Sequence, residues 1–104
     1  MFDARRPSGR YREAEVRYLI ENYAATLEAR DVNGPGLNML VKVADLKVAW
    51  RRLRRDDRNA LLAMGVIGAD SRTAGVALEK SHTWVQKRYR QALEELTLLM
   101  NGDV

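Results

Sequence analysis

The sequence predicts an all-α fold of about five helices, an N-terminal two-helix part followed by a three-helix unit. Three observations predict it. Apolar residues recur three and four positions apart through each long segment, the spacing that lines one face of a helix. No segment alternates polar and apolar residues for long enough to make a strand. Glycine, proline and capping residues cut the chain into helix-length pieces.

Residues 1–9 read as a flexible basic arm, because Pro7-Ser8-Gly9 interrupts any periodic pattern. Residues 10–104 read as a single helical domain. A first helix is expected from about Arg10 to Ala29, with Val16, Leu19, Ile20, Tyr23 and Leu27 on one stripe. Asp31-Val32-Asn33-Gly34-Pro35-Gly36 then breaks the chain and is the one obvious linker. A second helix follows, from about Leu37 to Arg54. Met39, Val43, Leu46, Trp50 and Leu53 form its inner face, with Lys42, Arg51 and Arg55 opposite. A short third helix starts near Asp56 or Asp57, where a carboxylate can cap free amides, and ends at Gly65 or Gly68. Asp70-Ser71 caps a fourth helix from Arg72 to about Leu78. Ser81 caps a fifth, which runs to about Asn101 with Val85, Tyr89, Leu93, Leu96 and Met100 as its apolar stripe.

Bulk properties narrow the function classes. A chain of 104 residues suits one modest core. No apolar run approaches the roughly 18 residues of a membrane span, and the charged N-terminus lacks the apolar stretch of a signal peptide. Cysteine is absent, which removes disulfides and thiolate metal sites and fits a reducing cytoplasm. One histidine makes a metal site improbable, and no cofactor is expected. The sequence has no glycine-rich phosphate loop and no nucleophile–base set, so an enzyme is the least favoured class.

Charge points toward a polyanion partner. The net charge is +4, and 14 of the 18 basic residues are Arg, the side chain best suited to bidentate phosphate and base contacts. The excess sits in the arm (Arg5, Arg6, Arg10) and in the run Arg51-Arg52-Leu53-Arg54-Arg55. That run reads first as a solvated helix end favoured by the local dipole. The stretch Lys80 to Arg90 adds four basic residues and no acidic one. Trp50 and Trp84 read as packing groups, and His82 as a cap or solvated residue.

The last two helices, joined by about three residues, have the layout of a helix-turn-helix at about residues 70–101. Opposite the apolar stripe of the fifth helix lie His82, Thr83, Gln86, Lys87 and Arg90, the groups needed to face base edges and phosphates. Beyond Arg90 the exposed face turns acidic at Glu94 and Glu95, so the first turns are the ones expected to approach DNA.

From Ala60-Leu61-Leu62 through Gly68 to Ala92-Leu93, about 40 residues (58–97) resemble region 4 of bacterial sigma factors. Ser81, Val85, Arg88, Ala92 and Leu93 fall without a gap on the pattern S-x-x-x-V-x-x-R-x-x-x-A-L, and Ala77-Leu78 match the end of the preceding helix. Phage late-transcription regulators of the ArpU type are similar in the same way. The resemblance implies a helix that starts near Ser81 and enters the major groove of a promoter element. By position, the implied base readers are His82, Thr83, Gln86 and Lys87, with Arg88, Arg90 and Arg72 holding phosphates. Two departures stand out. Glu79 replaces the usual turn glycine although it is poorly suited to positive φ, and Lys80 replaces an apolar residue. Ala69 and Ala74 are also smaller than the family's residues, which implies thinner packing there.

Three functions stay open at this point. One is a sequence-specific transcription regulator of phage or mobile-element origin, acting on double-stranded DNA in the bacterial cytoplasm. Another is a small terminase-type DNA-packaging subunit. The third is a sigma-region mimic that binds RNA polymerase or a sigma partner instead of DNA. Tyr18, Tyr23 and Trp50 supply more aromatic surface than so small a core needs, which would suit a homodimer.

Overall fold

A computed structural model describes residues 11–22 and 37–102. The expected arm, Tyr23, Leu27 and the Asp31–Gly36 break lie outside them. In the described residues five α-helices run in the order α1 (Glu13–Glu21), α2 (Leu37–Arg51), α3 (Arg55–Leu61), α4 (Ser71–Leu78) and α5 (His82–Met100), and a π-helical turn (Leu62–Val66) follows α3. The described residues contain no strand, so the fold is all-α. None of the described helices is long and apolar enough to cross a membrane.

The helix boundaries follow from local chemistry. α1 begins at Glu13 rather than Arg10, after an extended Arg12, and carries Glu13 and Glu15 in the first turn, where the helix dipole favours carboxylates. It closes at Glu21, where Asn22 leaves helical geometry; the expected continuation to Ala29 falls outside the described residues. α2 stops at Arg51, three residues short of the expected Arg54. Arg52 and Leu53 bond instead to the carbonyls of Ala49 and Trp50, i→i−3 bonds that tighten and end a helix.

α3 is not capped by Asp56 or Asp57. Arg54 is the cap residue and makes no side-chain cap bond; both carboxylates lie in the first turn, too far inside to cap it. At the far end Gly65 does not stop the helix but lies inside the π turn, where Ile67 N–H reaches the Leu62 carbonyl at 2.8 Å. A Cβ at Gly65 would come within 2.5 Å of the Ile20 side chain, so the glycine lets α1 lie close against this turn.

α5 is the spine of the molecule. Its Ala92, Leu93, Leu96, Leu99 and Met100 share one core with Val16, Leu19 and Ile20 of α1, Leu46 and Ala49 of α2, and Leu53 and Leu61. A smaller cluster of Ala63, Ala74 and Val85, flanked by Met64, Ala69, Leu78 and Trp84, joins α4 to the first half of α5. α1 and α2 are also linked by Lys42, whose Nζ lies 2.6 Å from Glu15. Lys42 therefore faces α1 rather than the opposite side of α2.

Candidate nucleic-acid interface

α4 and α5 are joined by a turn of three residues, the layout expected of a helix-turn-helix, and each begins with the expected cap. The Asp70 carboxylate accepts from Thr73 N–H at 2.7 Å, and Ser81 Oγ accepts from Trp84 N–H at 3.0 Å. The Thr73 amide bond holds the Asp70 carboxyl below its ordinary pKa. Because the cap is Asp70, α4 starts at Ser71, one residue before the expected Arg72.

The turn is a Schellman closure. Lys80 N–H bonds to the Gly75 carbonyl at 2.8 Å, and Glu79 N–H bonds to that of Val76 at 3.2 Å. This geometry requires a left-handed residue at position 79, and Glu79 adopts it, with φ 59° and ψ 43°. Glutamate therefore takes up the left-handed conformation that glycine more commonly supplies at such a turn. The helix-crossing glycine is Gly75: a Cβ there would sit 2.6 Å from the Lys80 carbonyl oxygen and 3.3 Å from His82 N. Lys80 stays at the surface and lays its ammonium 5.0 Å from the centre of the Trp84 ring.

At about 100° per residue, Thr83, Lys87 and Arg90 fall within a sector of about 60° on α5. All three are exposed and form a ridge with no acidic member. The ridge has a wall on either side. Toward α4, Gln86 donates to Ser71 Oγ at 3.1 Å. Toward α3, about 200° around the helix from Gln86, Arg88 donates to the Asp57 carboxylate at 3.3 Å and lies 5.4 Å from the Trp84 ring. Asp57 is buried, so this pair is a packed bridge between α3 and α5. An open groove beside the ridge runs past Arg72, Val76, Lys80 and His82.

The implied site residues thus divide. Thr83, Gln86, Lys87 and Arg90 share the exposed side of the first turns of α5, and exposed Arg72 stands on the neighbouring α4. His82 is half-buried at the start of the helix, on the groove side. Ser81 uses its oxygen as the cap. Arg88 is turned inward to Asp57 and Trp84. Capping rules mark Asp57 only as a candidate helix cap, although a signal for its buried role was present: Asp57 shares one helix face with Ala60 and Leu61, and a carboxylate on an apolar face needs a partner.

Compared with known proteins, the chain matches no family model, no curated protein and no solved structure. The exposed ridge of α5 offers two cations and one hydroxyl, and the Gln86 amide beside it completes a set that can pair with phosphate oxygens and with the acceptors and donors on base edges.

Proposed function

We propose that this chain is a sequence-specific DNA-binding transcription regulator of the sigma region 4 type, working in the cytoplasm of a bacterial cell and catalysing no reaction. One observation carries the reading. The first turns of α5 expose Thr83, Gln86, Lys87 and Arg90, and no acidic residue stands among them. α5 enters the major groove with this ridge. Gln86 and Thr83 read base edges, and a bidentate amide contact discriminates by about 1–3 kcal/mol per base. Lys87, Arg90 and Arg72 neutralise phosphates, which makes affinity steeply salt-dependent. Arg88 serves the same surface from behind, by holding α5 against α3.

The test is selection from a pool of random duplex DNA at about 150 mM salt. Enrichment of one short element, absent for Gln86→Ala with folding intact, supports the reading, and its symmetry reports whether one copy or two reads it. If nothing is enriched while the chain retains bacterial RNA polymerase, the protein-binding alternative takes its place.

A further inference from the structure

The corner between α2 and α3 carries Arg51, Arg52, Arg54 and Arg55, all exposed and none with an acidic partner among the described residues. A basic run at a helix end is ordinarily explained by the helix dipole, which favours cations at a C-terminus. That explanation fails for two of the four. α2 ends at Arg51, whereas Arg54 is the N-cap of α3 and Arg55 its first residue, at the end where the dipole disfavours cations.

The corner is also built rigidly. Leu53, in its middle, is buried in the main core. Its carbonyl accepts from Arg58 Nη1 at 2.7 Å, and its N–H donates to the Trp50 carbonyl. Two and three residues beyond Arg55 and Arg54, Asp57 is fixed to Arg88 in the middle of the DNA-facing half of α5. A preorganised group of cations is therefore anchored against the reading helix, on the side opposite α4.

We infer that the Arg54–Arg55 corner is a second phosphate-binding site, gripping the backbone of the same duplex that α5 reads. The inference rests on the DNA-binding reading above. Two basic shoulders then flank the ridge, Arg72 and Lys80 on the α4 side and the corner on the α3 side. The corner contributes affinity and orientation but no base preference, because pairing with a phosphate carries no sequence information.

The decisive experiment compares wild type with R54A/R55A and the charge-preserving R54K/R55K. Binding is measured from about 50 to 200 mM salt, on a duplex bearing the selected element and on a scrambled duplex of equal length. Thermal melts check that each variant folds. For R54A/R55A, the slope of log affinity against log salt is expected to be shallower by about 1 for each phosphate no longer neutralised. The preference between the duplexes stays unchanged, and R54K/R55K keeps most of the wild-type slope. A wild-type slope in folded R54A/R55A overturns the inference and leaves the DNA-reading helix standing. A shallower slope in the absence of any preferred element supports the corner while removing sequence-specific recognition. Wild type that binds neither duplex at about 50 mM salt overturns both.

Discussion

Glu79 carries a local cost that the turn imposes. A left-handed backbone costs a non-glycine residue about 1–2 kcal/mol, partly offset by the extra freedom that glycine loses on folding. Glu79→Gly is accordingly expected to raise stability by about 0.5–1 kcal/mol, read as a higher urea midpoint with an unchanged slope. The neighbouring Gly75→Ala has the opposite sign. Its methyl would press on the Lys80 carbonyl, a backbone group that cannot swing away, and about 1–3 kcal/mol of destabilisation is expected. The position of the turn, between Leu78 and Ser81, was legible in the sequence. The left-handed state of Glu79 was not, because the bonds from Lys80 and Glu79 back to α4 impose a conformation against the residue's own preference. Asp70 supplies a pH test. Its folded pKa is lowered, so its contribution is complete above the ordinary carboxylate value and disappears as pH falls through the lowered one. Asn caps about as well without titrating. In acid, then, the melting temperature of wild type should fall further than that of Asp70→Asn; parallel curves would show that the cap does not report on pH.

At the scale of the element, α5 is placed by its two walls. Asp57 is the tighter of them: it is buried, its partner Arg88 is about one-third exposed, and the two residues, 31 positions apart in sequence, join α3 to α5. Asp57→Ala leaves Arg88 without its carboxylate in a half-shielded place. About 1–2 kcal/mol of destabilisation is expected, below the figure for a fully buried pair because water still reaches the guanidinium. In a double-mutant cycle with Arg88→Ala, the double variant should be destabilised by less than the sum of the two single variants; simple additivity would mean the bridge holds nothing. Element starts were legible where a side chain caps directly, as at Asp70 and Ser81. They were misplaced at α3, because Asp56 and Asp57 have cap chemistry but sit too deep in the first turn, and Asp57 is claimed by Arg88. Of the candidate site, the exposed ridge was legible from helical spacing alone. The inward turn of Arg88 was not, since it depends on a partner from a different helix.

For the molecule as a whole, α1 and α2 serve as cover for α5. The second half of α5 lies beyond the reach of α4, and its Leu93, Leu96, Leu99 and Met100 are covered by Val16, Leu19, Ile20, Leu46 and Ala49. The start of α1 is also tied to the end of that helix: Tyr11 N–H donates to Asn101 Oδ1 at 2.7 Å, Asn101 Nδ2 donates to the Tyr11 carbonyl at 3.1 Å, and the Tyr11 hydroxyl donates to Asp45 at 2.7 Å. The five helices of the described residues could be read from the sequence, but this clasp could not, because it joins positions 90 residues apart without any local pattern. Burying a large aliphatic side chain is worth about 1.5–3 kcal/mol, so uncovering four of them removes as much as a small domain's entire stability. A fragment of residues 54–102 is therefore expected to lose cooperative unfolding. Amide exchange should show protection persisting longest around Val85 and disappearing first from Leu96 to Met100, where α1 and α2 supply the cover. If the fragment instead melts cooperatively within a few degrees of the full chain, the two N-terminal helices are not a brace, and their surface must be explained by a partner.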